Sequence, residues 1–132
     1  IQKFRYDDGF QVIFECDEGV EEKKIPKLLI QPLLENAIFH GVEFKRGEGL
    51  IIITARAYDG GVAVTVEDNG MGIAPEIIEK INRGERMGEK AHVGIVNVKE
   101  RIQLNFGGNY GMKIESVQWK GTKIILNLPA VD

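Results

Sequence analysis

Two β-branched runs, at residues 50–58 and 62–67, are separated only by Asp59-Gly60-Gly61. A link that short cannot carry the chain over a sheet to a parallel neighbour, so the two runs must pair side by side and antiparallel. The same signal occurs at either end of the chain. Asp7-Asp8-Gly9 sits between apolar runs at 2–6 and 11–16, and Lys120-Gly121 sits between 112–117 and 122–128. Between these hairpins the apolar period changes from two to about 3.6. Leu28, Leu29, Pro32, Leu33, Asn36, Ala37 and His40 recur at helical spacing behind Pro26, which suits a first helical turn. Pro32 should bend that helix or mark a break in its first turns, and Gly41 should end it. A short helix is expected from Pro75 to about Asn82. Another runs through Ile95, Val98, Ile102 and Phe106 and is closed by Gly107-Gly108. Residues 18–24 read as a charged connector, and residues 83–92, polar and aperiodic, as a mobile loop. The order ββ-α-ββ-α-loop-α-ββ predicts an α/β (α+β) two-layer sandwich. Its sheet is mixed but mainly antiparallel, with three helices on one face.

Bulk properties narrow the function classes. A chain of 132 residues is one domain by length, and 43% hydrophobic against 28% charged residues is the balance of a water-soluble fold with its own core. The net charge of −3 argues against a general nucleic-acid binder, which usually carries a basic excess. A single cysteine, Cys16, forms no internal disulfide and fits a reducing compartment. Its place in an alternating apolar run marks a buried structural thiol rather than a nucleophile. The apolar runs fall short of the ~20 residues that span a bilayer. No signal peptide opens the chain, which starts in a strand without an initiator Met. It is therefore expected to be a domain excised from a longer protein.

Three clusters carry candidate chemistry, and each has a plainer reading. In Gln31-Pro32-Leu33-Leu34-Glu35-Asn36-Ala37-Ile38-Phe39-His40-Gly41, Asn36 and His40 share a helix face, with Glu35 alongside. An amide oxygen is a hard ligand suited to Mg²⁺, though both groups serve equally as satisfied helix polars. In Val66-Glu67-Asp68-Asn69-Gly70-Met71-Gly72-Ile73 a strand delivers a carboxylate into a glycine-rich turn. Such a carboxylate can accept a hydrogen bond from an exocyclic amine, while Asp-Asn-Gly is also ordinary turn chemistry. In the third, the loop from Gly84 to His92 runs into Val93-Gly94-Ile95. A glycine opening a helix exposes backbone N–H groups to an anion, yet a solvated loop and a normal helix start fit as well.

In this order and spacing the three clusters resemble the N, G1 and G2 boxes of the GHKL superfamily of gyrase-type ATPases, Hsp90, MutL and histidine kinases. Gly121-Thr122 resembles its last small motif. The resemblance covers essentially the whole chain and is closest to sensor kinases of the LytS and YesM kind. It rests there on Ile25-Pro26-Lys27-Leu28 through Asn36-Ala37, and on Gly94 through Asn97-Val98-Lys99-Glu100-Arg101-Ile102 with Phe106-Gly107 following. It implies a Bergerat-type ATP-binding fold. Asn36 would coordinate Mg²⁺, Asp68 would hold the adenine amine, and Gly70 and Gly72 would let adenine lie against the turn. Ile73 would form part of an apolar wall, Gly94 would let a lid close on the phosphates, and Thr122 would support the adenine end through water. The lid would span about 83–93.

The resemblance further implies a protein-histidine kinase that binds Mg·ATP and passes the γ-phosphate to a histidine on a separate helical dimerisation domain of the same protein. A cognate response regulator would act downstream. The isolated domain would be a monomer, the full-length protein a dimer, and the domain cytoplasmic on a membrane-anchored kinase. Departures from the pattern matter. Phe39 stands where many histidine kinases carry Lys, leaving phosphate neutralisation to His40 or a lid cation, and His92 stands where an earlier G2 glycine is usual. The superfamily's true ATPases place a water-activating Glu four residues before the Asn, and that position here is Pro32. Glu35, about 100° away around the helix, is left to act on an incoming acceptor or to tune the metal. The alternatives are a degenerate nucleotide-binding or interaction module without phosphotransfer, and a serine kinase of the anti-sigma type, which usually carries that glutamate.

Overall fold

The computed structural model describes residues 2–5, 10–17, 27–41, 48–58, 60–85, 90–108 and 110–129. Strands β1 (Gln2–Arg5) and β2 (Phe10–Cys16) pair antiparallel, as the first hairpin signal requires. Helix α1 (Lys27–Asn36) follows and widens into a π-helical turn, Ala37–Gly41. Strands β3 (Gly49–Tyr58) and β4 (Gly61–Asp68) form the central hairpin. Helices α2 (Pro75–Asn82) and α3 (Lys90–Phe106) come next, then strands β5 (Gly111–Val117) and β6 (Gly121–Pro129). The six strands lie in the order β1-β2-β3-β4-β6-β5, and every neighbouring pair is antiparallel except β2 with β3. The sheet is therefore mixed and mainly antiparallel, as anticipated.

Register decides which side chains meet the helices. Ile51 lies opposite Asp68, Ile53 opposite Val66 and Ala55 opposite Val64. Across the next seam Asp68 faces Thr122, Val66 faces Ile124 and Val64 faces Leu126. All of these are buried, so a single face of the sheet is covered. The covering layer presents Leu29, Leu33 and Ala37 from α1 and the turn behind it, Ile81 from α2, and Ile95, Val96, Val98 and Ile102 from α3. The opposite face carries Ile52, Glu67, Lys123 and Glu115 at matched positions, and Glu67 and Glu115 there are exposed.

Pro32 does not break α1. The helix runs through it and continues to Asn36, because loss of one backbone bond is offset by burial of Leu29 and Leu33 on either side of it. Cys16 is half-buried against the core rather than fully enclosed, since β2 has only one neighbour beyond it, the short β1. No helix among the described residues is long and apolar enough to cross a membrane. The charged connector at 18–24 lies outside the described residues.

Leu33 and Leu126 are completely enclosed from opposite layers. Leu33→Ala and Leu126→Ala should each destabilise the domain by about 2–5 kcal/mol. Urea melts will measure this, and a cost below about 1 kcal/mol at both positions would mean that the two layers do not pack as described.

Candidate functional site

Asp68 closes β4 on the helix-covered face, where it is only 7% exposed. The backbone N–H of Gly70 donates to Asp68 Oδ1 at 2.8 Å, so one carboxylate oxygen is spent holding the turn. Burial is the largest influence on its acidity and pushes the pKa from 3.8 to about 6; the N–H groups of Gly70 and Thr122 oppose the shift and nearby Glu67 adds to it. At neutral pH Asp68 is thus an ionised, mostly dehydrated acceptor with its second oxygen uncommitted to the turn.

The turn after Asp68 is pinned from both sides. Asn69 accepts from the Leu50 N–H at 2.8 Å and donates to the Glu48 carbonyl at 2.9 Å, anchoring the turn to the start of β3. On the other side the Ile73 N–H donates to Ser116 Oγ at 2.8 Å, and the Trp119 N–H donates to the Met71 carbonyl. Gly72 has φ +72°, and a Cβ there would lie 2.4 Å from the Val117 carbonyl oxygen. The space freed by Gly72 is therefore filled by the β5–β6 turn. Gly121 is equally constrained, since a Cβ on it would lie 2.2 Å from the Asp68 carbonyl oxygen. Thr122, 5% exposed, faces Asp68 directly, and Gly70 and Ile73 are buried beside it.

Asn36 ends α1 and is 2% exposed. Its Oδ1 is enclosed yet has no hydrogen-bond partner among the described residues. An orphaned acceptor in that position is unfavourable unless something arrives to use it. One hard oxygen of this kind fits the way Mg²⁺ is held, by one or two protein ligands with the remainder from phosphates and water. No group of three or more His, Cys, Asp and Glu that could hold a metal occurs among the described residues, so Asn36 is the feature that fits. The π-helical turn behind Asn36 packs on β3, β4 and β6, which sets Asn36 and Asp68 at the same interface between helices and sheet.

Other candidates are placed differently. Glu35 is exposed, and Gln31 Nε2 approaches its Oε1 at 3.4 Å along the outer flank of α1. His40 lies in the π-helical turn, with its side chain outside the described residues. Phe39 is 57% exposed. Gly94 does not open a helix, because α3 already begins at Lys90 and puts Gly94 at its fifth residue. Its N–H lies beyond the first four, which are the ones without intrahelical partners. What its lack of a side chain permits is close packing: a Cβ on Gly94 would lie 3.3 Å from Pro32 Cβ. The loop expected at 83–92 is correspondingly shorter, since Ala91 and Lys90 favour helix and the buried Ile95 and Val96 draw the turn in. Within that span, residues 86–89 lie outside the described residues.

Ser116 and Asn69 are functional neighbours of Asp68 that no sequence motif marks. The matched alternation that places Ser116 opposite Thr122 was available in the strand pattern, but the bonds to Ile73 and Glu48 depend on tertiary approach. A groove of about 390 Å³ crosses the same strand ends, lined on the uncovered face by Ile52, Glu67, Glu115 and Lys123 and reaching Asp68 and Thr122. Asn36, Gly70, Ile73 and Gly94 do not line it.

Residues 21–132 match the family described as Histidine kinase-, DNA gyrase B-, and HSP90-like ATPase. The chain is 39% identical over 130 residues to the sensor histidine kinase YesM of Bacillus subtilis, covering 98% of this chain and 21% of YesM. It is 38% identical over 129 residues to the sensor histidine kinase YpdA of Escherichia coli, covering 98% of this chain and 22% of YpdA. It thus spans about a fifth of the length of these relatives. Among solved structures, a nucleotide-free catalytic domain of the histidine kinase ThkA superposes with a TM-score of 0.67 at 22% identity. That match covers 94% of this chain and 82% of the ThkA domain. The chain belongs to the histidine kinase-, DNA gyrase B- and HSP90-like ATPase family, and within it is similar to sensor histidine kinases of the YesM and LytS kind.

The raised pKa of Asp68 has a measurable consequence. Below about pH 4 the carboxyl is neutral whether folded or unfolded. Between about 4 and 6 the unfolded chain ionises while the folded one holds its proton, so stability falls as pH rises, by up to about 3 kcal/mol. Asp68→Asn is spared that loss. It should be more stable than the parent at pH 7.5 and no more stable at pH 4, and equal urea midpoints for the two chains at pH 7.5 would contradict the burial argument.

Proposed function

We propose that this domain binds Mg·ATP and presents the γ-phosphate to a histidine on a separate helical domain of the same protein, for later transfer to a response regulator. The observation that supports the reading is that the helix-covered side of the sheet buries both the Asp68 carboxylate and the orphaned Asn36 Oδ1. The first suits the two N–H groups of an adenine amine. The second suits a hard cation.

Asp68 would orient the base, with Thr122 beside it and Ile73 forming part of an apolar wall. Gly70 fixes the carboxylate so that one oxygen faces the ligand, and Gly72 holds the turn in a shape that only glycine adopts readily. Asn36 would hold Mg²⁺, which when bound supplies charge neutralisation to the phosphate oxygens. Catalysis by the chain's own residues is then mainly positioning. Glu35, exposed on the outer flank of α1, is placed to meet an incoming acceptor rather than the metal, and His40 sits one turn beyond Asn36. Gly94 would act by letting α3 lie close to α1 at Pro32, at the base of a lid formed from the 83–93 region.

Titration calorimetry of the 132-residue chain with ATP, with and without Mg²⁺, tests the reading. Adenine nucleotide should bind, and Mg²⁺ should tighten ATP. Asp68→Asn should weaken binding by roughly tenfold or more, the scale of a hydrogen bond to a charged group. Asn36→Ala should abolish the Mg²⁺ enhancement and leave metal-free binding nearly unchanged. Undiminished affinity in Asp68→Asn removes the adenine assignment, and an intact Mg²⁺ effect in Asn36→Ala removes the metal assignment.

A further inference from the structure

Ser116 stands on β5 opposite Thr122, with its hydroxyl at the centre of three contacts. The Ile73 N–H reaches Ser116 Oγ at 2.8 Å, the Gly121 carbonyl oxygen lies at 2.8 Å, and Thr122 Oγ1 lies at 3.0 Å. Elementary chemistry fixes where the protons are. A backbone N–H only donates and a carbonyl only accepts, so Ile73 gives to a Ser116 lone pair and the Ser116 proton goes to Gly121. Ser116 has no second proton. With that proton on Gly121, the contact with Thr122 uses the Thr122 O–H as donor, which leaves Thr122 Oγ1 with lone pairs and nothing to give. The neighbouring Asp68 carboxylate also only accepts.

We propose that Ser116 is a positioning residue for base selection: by taking the Thr122 proton it leaves two adjacent acceptors, Asp68 and Thr122, which favour a 6-amino purine over a 6-oxo purine. This rests on the reading of Asp68 as the acceptor of an adenine amine. The amine of adenine carries two N–H donors, enough for both acceptors directly or through water. The 6-oxo group of hypoxanthine sets a lone pair against them, and unpaired polar groups in a desolvated site discriminate strongly. Ser116 also ties the turn after Asp68 to β5 through Ile73, so the acceptor pair and the apolar wall are held by one hydroxyl.

The test compares ADP with IDP, which share their sugar and phosphates and differ at the purine 6-position. The wild-type chain should prefer ADP. In Ser116→Ala the Thr122 hydroxyl is released and can turn its proton toward a 6-oxo group, so the ADP-to-IDP affinity ratio should fall by about five- to tenfold, the scale of one hydrogen bond. Ser116→Thr keeps the hydroxyl and should restore the ratio. A purely structural role would weaken both nucleotides together, so a folded Ser116→Ala domain with an unchanged ratio overturns the assignment. If Ser116→Ala does not fold, Thr122→Val removes the acceptor while keeping the shape, and an unchanged ratio there overturns it equally. A wild-type chain that binds neither nucleotide overturns the adenine reading and this assignment with it, whereas ADP binding with a ratio indifferent to Ser116 overturns this assignment alone.

Discussion

The arrangement of this domain depends on keeping one carboxylate away from water at the end of a central strand. Dehydrating an ion is costly, and the protein compensates only in part. One Asp68 oxygen receives the Gly70 N–H, the Thr122 backbone contributes, and the pKa still rises to about 6. That residual cost has to be supported by the rest of the fold. It is supported by rigidity: Asn69 fastens the turn to β3, Ser116 fastens it to β5, and Gly72 and Gly121 allow backbones to approach where any side chain would collide. A looser turn would let Asp68 swing into solvent, relieving the strain and losing the site.

The second acceptor reaches the same interface for topological reasons. β2 and β3 are parallel neighbours, so the chain between them must cross the sheet, and α1 lies within that crossover. The burial of Leu29, Leu33 and Ala37 sets the rotation of the helix. Asn36 follows Leu33 by three residues and falls on the same buried flank, whereas Glu35 is turned outward. The π-helical turn then widens the helix end as it meets β3, β4 and β6. Such turns are uncommon and recur at functional sites, because the extra residue shifts the side chains behind it out of helical register.

Much of this was legible in the sequence, and the remainder has identifiable physical reasons. The hairpin at 50–67 was fixed by its three-residue link, and α2 was bounded by Pro75 and Asn82. Asp68 was conspicuous because alternation along β4 delivers it to the covered face. The start of α3 was not legible. Its first turn carries Lys90, Ala91 and His92, which show no apolar period, and among the described residues full burial starts at Ile95, so the sequence pattern concealed the start. Gly94 was consequently read as a helix opener rather than a packing glycine. Ser116 and Asn69 escaped notice because serine and asparagine near turns are commonplace, and their partners here are 43 and 21 residues distant. Chemistry along a strand shows in periodicity, and chemistry across the fold does not.

The same helix pair bears on why such a site would transfer a phosphoryl group rather than hydrolyse it. Pro32 stands where the resemblance would put a water-activating glutamate in a true ATPase, and its Cβ is the atom that a Gly94 Cβ would meet at 3.3 Å. Pro32 thus lies at the contact between α1 and α3 and offers no titratable group there. Pro32 and Gly94 meet at the contact between α1 and α3, so a side chain added at Gly94 would press on Pro32.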